Sequence, residues 1–351
     1  MPDIPEDLRP RLTPAVADIR RAVRASLDGL DAHALVLVAL SGGADSLALA
    51  AATAFEAPRA GLRAGAVIVD HGLQEGSAAI AERAAQQARA LGLDPVIVST
   101  VSVETGPSAQ TGGAEAAARA ARYRALEDAR ITRGAAVILL GHTLDDQAET
   151  VLLGLARGSG AASLSGMAPV SGYLHRPLLD IRREQTEAYC RDTGLDPWDD
   201  PWNSDPSYTR VRVRQTVLPM LEAELGPGIA LALARTATTL REDAEALDAQ
   251  VLEFVEEICE PAEAGIAISA PALAANPAAL RQRVIRFVVE SEFGVSLSRE
   301  HTVAAARLVT DWHGQKPVDL PGIRVAREGA LLVFRSTGNA DEDRDRTNGT
   351  E

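Results

Sequence analysis

Aromatic side chains are scarce, with Phe, Tyr and Trp making up 3% of the 351 residues. The core must therefore be built from Ala, Leu and Val. Lysine is nearly missing: Lys316 is the only one, so arginine carries the positive charge. That Ala- and Arg-rich bias reads as GC-rich coding and not as a functional signal. The two cysteines, Cys190 and Cys259, lie far apart without a C-x-x-C. They suggest no disulfide framework, zinc site or iron–sulfur site. No apolar run approaches a membrane span, and the N-terminus lacks a signal-peptide core. A cytoplasmic protein with no membrane partner is the expectation. A formal charge of −14 argues against a generally basic nucleic-acid coat, though a local basic surface remains compatible with it.

What the chain does have is alternation. Short apolar runs at 34–40, 66–70, 95–101 and 136–140 read as buried strands. Helical spacing fills 15–30, 45–56, 76–91, 113–132 and 144–156. Strands alternating with helices predict a doubly wound, mostly parallel α/β sheet, with ligands beyond the C-terminal strand ends. Residues 158–206 turn to Gly, Ser, Pro, Asp and Trp, with one helix near 182–193. Helical periodicity runs from Tyr208 to Ile258, with breaks at Pro219 and Gly226-Pro227-Gly228. Residues 266–335 mix helices (279–292, 298–310) with short strands near 323–326 and 330–334. The expected layout is a loose arm (1–13), a catalytic domain (14–215), a smaller, mostly helical domain (216–335) and a disordered acidic tail (336–351).

The first strand ends at Ser41-Gly42-Gly43-Ala44-Asp45-Ser46, and a helix follows. Strand, Gly-Gly turn and helix start aim backbone N–H groups and a helix dipole at one spot, an anion site. No Lys follows the turn and G-x-G-x-x-G is absent, so this is neither a Walker nor a dinucleotide loop. Asp70 and His71 stand at the second strand end, suited to adenosine or a metal; the plain alternative is a turn carboxylate. At the fourth strand end, His142 precedes Asp145, Asp146 and Glu149 on one helix start. First-turn acids complement the dipole, but three beside a histidine suit Mg²⁺ on phosphates or an amine nucleophile. Helix 113–132 carries Arg119 and Arg122 on one face. Arg210, Arg212 and Arg214 form the densest basic run, whose natural use is phosphate contact; on a helix Arg210 and Arg214 would line one side with Arg212 turned away, and on a strand all three align. Trp198 and Trp202 precede it, and an exposed one could stack a base.

The loop 41–46 resembles the S-G-G-x-D-S loop of PP-loop ATP pyrophosphatases. With V-D-H-G-L (69–73), A-R-A-A-R-Y-R (118–124), G-H-T-L-D-D-Q-A-E-T (141–150), L-L-G-L-A-R-G-S-G (152–160), L-S-G-M (164–167) and R-P-L-L (176–179), the chain resembles the tRNA(Ile)-lysidine synthetases. Gln74 and Val211 depart from that family's usual Arg and Asn. The resemblance implies ATP-dependent adenylation of O2 of the wobble cytidine in a CAU-anticodon tRNA(Ile). Attack by the ε-amine of free lysine at C2 then gives lysidine. It implies ATP at Ser41, Gly42, Gly43, Ala44, Asp45, Ser46, Asp70 and His71, with Mg²⁺ at Asp45 and Asp146. Asp45, His142, Asp145, Asp146 and Glu149 would be catalytic, and Arg119, Arg122, Arg210, Arg212 and Arg214 would meet tRNA. A PP-loop tRNA thiolase and a nucleotide-binding module without turnover are the alternatives. A homodimer is left open.

Overall fold

The computed structural model describes residues 12–72, 76–101, 113–158, 160–262 and 265–337. Nearly all of the expected arm and tail, and Gln74, lie outside these. The chain divides into two compact units, Met1–Arg241 and Glu242–Glu351.

In the first unit, α1 (Pro14–Leu27) precedes β1 (Leu35–Ala39), α2 (Ala44–Arg59), β2 (Arg63–Asp70), α3 (Ser77–Ala90) and β3 (Val96–Thr100). Then come α4 (Gly113–Arg133), β4 (Ala135–Leu139), α5 (Leu144–Ala156), α6 (Ala161–Leu164), the short strands β5 (Val170–Ser171) and β6 (Leu174–His175), and α7 (Arg183–Thr193). The sheet order is β3-β2-β1-β4-β6-β5. All pairs are parallel except β5 with β6. Alternate residues of β1 face opposite layers, as the two-residue period requires. Val36 and Val38 pack with α1, α2, α3 and α7 through Val23, Leu47, Ala84 and Tyr189. Leu35 and Leu37 pack with Leu126 and Ala129 of α4. The expected strands and helices stand within a few residues of their predicted bounds.

Three corrections follow. The boundary expected at 215/216 falls after Arg241, inside α10 (Ile229–Ile258). The reason is a shared core: Leu144 and Ala148 of α5 pack with Val213, Leu218, Ala230 and Ala234. Pro219 causes no break. It opens α9 (Leu218–Leu225), which continues α8 (Thr209–Arg212) through a π-helical turn at Val213–Val217; the wider turn accommodates a residue with no N–H to donate. The second unit also holds more sheet than expected. Among its described residues five strands, β7 (Cys259–Ala262), β8 (Gly265–Ser269), β9 (Val318–Leu320), β10 (Ile323–Glu328) and β11 (Leu331–Ser336), pair antiparallel in the order β7-β8-β11-β10-β9. Ile268, Val325 and Phe334 from this sheet pack with Leu273 of α11 (Ala270–Ala275), Val284 and Val288 of α12 (Ala278–Phe293) and Ala305 of α13 (Arg299–Thr310). Among the described residues, no single helix is long and apolar enough to cross a membrane.

Candidate active site

The turn between β1 and α2 depends on Gly42, whose φ of +90° would strain any side chain. Gly43 caps α2 without a side chain, so the first N–H groups of the helix meet no capping oxygen from it. Ser46 is turned inward. Its Oγ accepts from Ser41 N at 3.2 Å, lies 3.1 Å from Ser41 Oγ and donates to Gly43 O at 3.0 Å. Ser46 therefore shapes the loop from beneath, while Ser41 stays exposed. Gly141 lets the fourth strand end approach this loop. A Cβ there would stand 3.1 Å from Asp45 C and from Ser46 N and Cα.

The acids of α5 are brought together as expected, but they are not free. Thr143 caps α5 in a reciprocal box with Asp146, whose Oδ2 accepts from Thr143 N at 2.8 Å and Oγ1 at 3.0 Å. Asp146 Oδ1 faces Arg183 at 2.8 Å and Arg214 at 3.3 Å. Arg183 and its neighbours hold the Asp146 carboxyl below its usual range against the opposing effect of burial, the largest single influence on it. Asp145 meets the start of α7: its Oδ2 accepts from Arg183 N at 2.7 Å, and its Oδ1 pairs with Arg182 at 3.0 Å. Glu149 is fully buried. It takes Arg183 at 3.4 Å, Arg210 at 3.0 Å and Arg214 at 2.7 Å.

Two of the arginines expected to meet tRNA are thus internal counter-charges, with Arg210 also donating to Thr150 Oγ1 at 2.8 Å. Arg212 differs. It is exposed and donates only to neutral oxygens, Pro206 O, Ser207 O and Thr209 Oγ1. Arg119 is exposed against Tyr123. Arg122 is held below its ordinary proton affinity, first by burial and also by the like charges of Arg119 and Arg210. A guanidinium in like-charged company suits a phosphate.

His142 is pushed down to about 4, mostly by burial, with Arg122, Arg176 and Arg119 adding to the effect and Asp146 opposing it. It is a neutral imidazole at physiological pH, and its buried Nδ1 has no partner among the described residues. His71 is likewise lowered by burial and Arg122, and its Nδ1 has no partner among the described residues. Asp70 is buried and accepts from Gly72 N at 3.0 Å, the turn geometry of the plain alternative. Trp198 is tied to the loop through its main chain: its backbone N–H donates to Gly42 O at 2.9 Å. Trp202 is exposed and stands 6.0 Å from the Tyr208 ring.

Asp45 joins the loop to the acids. Burial pushes its carboxyl up to about 6, against the Thr186 hydrogen bond and Arg183. Arg183 spans the two groups, with Nε 3.6 Å from Asp45 Oδ2 and Nη2 on Asp146. The sequence assigned no role to Arg182, Arg183 or Thr186. A readable signal existed: two arginines at a helix start oppose the dipole and demand carboxylates.

Magnesium is usually held by one or two carboxylates together with substrate phosphates. Asp45 fits, because a cation beside it would restore the charge that burial disfavours. Asp146 does not fit, since two donors already occupy each of its oxygens. Among the described residues no group of three or more His, Cys, Asp or Glu could hold a metal.

Residues 15–221 match the family described as PP-loop domain, and residues 268–331 match the TilS substrate binding domain. The tRNA(Ile)-lysidine synthase of Leifsonia xyli subsp. xyli is 64% identical over 302 residues, 86% of this chain and 90% of that one. That of Thermobifida fusca is 53% identical over 324 residues, 91% and 98% of the two chains. The solved U34-tRNA thiolase NcsA from Methanococcus maripaludis has a TM-score of 0.53 at 20% identity, covering 65% of this chain and 80% of its own. That likeness is one of fold. By its PP-loop domain and its similarity along most of its length, the chain belongs to the tRNA(Ile)-lysidine synthase family.

Proposed function

We propose that this chain makes lysidine, with the ATP loop and the α5 acids acting as one centre. The observation that carries this is Arg183, which touches Asp45 of the loop and Asp146 and Glu149 of the acidic cluster. ATP lies on the Ser41–Ser46 loop, and cytidine O2 attacks the α-phosphorus while pyrophosphate leaves. The ε-amine of lysine then attacks C2, the C2–O bond breaks and AMP departs, with the amine proton passing to a carboxylate. Glu149 has no exposed surface, whereas the Asp145 and Asp146 side chains keep 13% and 12%. Contact with the lysine ammonium therefore falls to Asp145, whose two oxygens take one donor each and keep lone pairs for another, and Glu149 holds the arginines in place. His142, neutral, serves as a hydrogen-bonding group and not as an acid. Asp45 would hold Mg²⁺, which would neutralise the phosphates. Arg119, Arg122 and Arg212 meet phosphate of ATP or tRNA, and Arg210 and Arg214 act through Glu149. The place of work is the cytoplasm, where tRNA is.

The thiolase alternative needs a reactive thiol. Burial pushes both Cys190 and Cys259 up to about 11, so neither is a thiolate at neutral pH. The test is incorporation of labelled lysine into a CAU-anticodon tRNA(Ile) transcript. A mass gain of one lysine less water is expected, and ATP-dependent sulfur uptake instead would overturn the reading.

A further inference from the structure

One segment bonds three residues of the ATP loop. Thr186 Oγ1 donates to Asp45 Oδ1. Cys190 Sγ lies 3.5 Å from Ala44 O, and Trp198 N donates to Gly42 O at 2.9 Å. Thr186 and Cys190 are one turn apart on α7, so they share a face, and both are buried. The Trp198 end is itself tied down: Arg83 and Gln87 of α3 bond Asp196 Oδ2 at 2.6 Å and Asp196 O at 2.7 Å.

A helical threonine ordinarily turns its hydroxyl to its own helix, and Thr186 has that acceptor in Arg183 O at 2.7 Å. One hydroxyl proton serves two acceptors, and the anionic one binds it more strongly. Without that donor, Asp45 is free to close on Arg183, whose Nε is 3.6 Å from Asp45 Oδ2. The carboxylate would then be spent on an ion pair instead of facing the nucleotide.

We propose that Thr186 is a positioning residue for adenylation: it fixes the Asp45 carboxylate over the ATP loop, making α7 a wall of the nucleotide site. This rests on the reading of Ser41–Ser46 as the ATP loop. The test uses the full chain as T186V, T186S, D45N and the D45N/T186V double variant. Equilibrium binding of Mg-ATP without tRNA is measured, together with KM and kcat for ATP and for lysine. T186V is expected to weaken ATP binding and raise KM for ATP by about tenfold, the size of a lost hydrogen bond to a charged group. KM for lysine stays unchanged, T186S behaves as wild type, and T186V adds nothing in the D45N background. Wild-type ATP binding by T186V would overturn the proposal, as would an equal loss in the D45N background. If D45N itself binds ATP normally, the reading of Asp45 at the nucleotide falls and the proposal with it. If D45N weakens binding and T186V does not, only the positioning role falls.

Discussion

Replacing Glu149 by Gln keeps the shape of the side chain and removes the charge that three arginines share. Oε1 accepts from Arg183 Nη1 and Arg214 Nε, and Oε2 from Arg210 Nε and Arg214 Nη2. Glutamine offers one acceptor oxygen and turns an NH2 toward guanidinium groups. Breaking a buried ion pair from one side costs about 3–5 kcal/mol, because the opposite charge is left uncompensated. The arginine side chains keep 21%, 34% and 26% of their surface exposed, so water recovers part of that. A loss of about 3 kcal/mol is therefore expected, a large share of the 5–15 kcal/mol typical of a folded domain. At a urea dependence of about 2–3 kcal/mol/M, the unfolding midpoint of the first unit should fall by about 1 M. A fall of less than about 0.2 M would refute Glu149 as the hub of this cluster.

Three other perturbations separate the parts of the site. Gly141→Ala puts a Cβ against backbone atoms of Asp45 and Ser46, so ATP binding should weaken about tenfold with helix content unchanged; unaltered binding would mean the loop gives way freely. Asp45 and His142 pull stability in opposite directions with pH. Asp45 holds its proton better folded, so its contribution of about 3 kcal/mol is lost as pH rises from 3.8 through about 6. His142 holds its proton worse folded, so a similar amount, about 3 kcal/mol, is lost as pH falls from 6.5 through about 4. The wild-type profile should be nearly flat over this window, while His142→Asn should lose stability as pH rises; parallel urea-midpoint curves would contradict these assignments. Arg212→Ala should weaken tRNA binding and lower its salt slope by about one unit without changing the unfolding midpoint, whereas Arg214→Ala should lower the midpoint.

The Ser41–Ser46 turn was legible because everything that makes it is local: a β-branched run, two glycines and a helix start within a dozen residues. The acidic cluster was legible for the same reason, since Asp145, Asp146 and Glu149 share one helical face. Its neutralisation was not. Arg183, Arg210 and Arg214 lie 34, 61 and 65 residues from Glu149, and only the return of α7 and α8 onto α5 brings them there. The run Arg210–Arg214 left two arrangements open, and the helical one holds: Arg210 and Arg214 line one side and turn inward, and Arg212 turns out. The short strands β5 and β6 carry too few residues to show a period. The strand β7 reads Cys-Glu-Pro-Ala and is an edge strand, where a proline is tolerated. The unit boundary was missed because helical periodicity continues across it.

The central claim is that the acids beside the ATP loop accept the amine of lysine. Pyrophosphate release, measured with a CAU-anticodon tRNA(Ile) transcript, ATP and each amino acid in turn, tests it most directly. Lysine alone should stimulate release; equal release with any other amino acid, or none that depends on lysine, would contradict it.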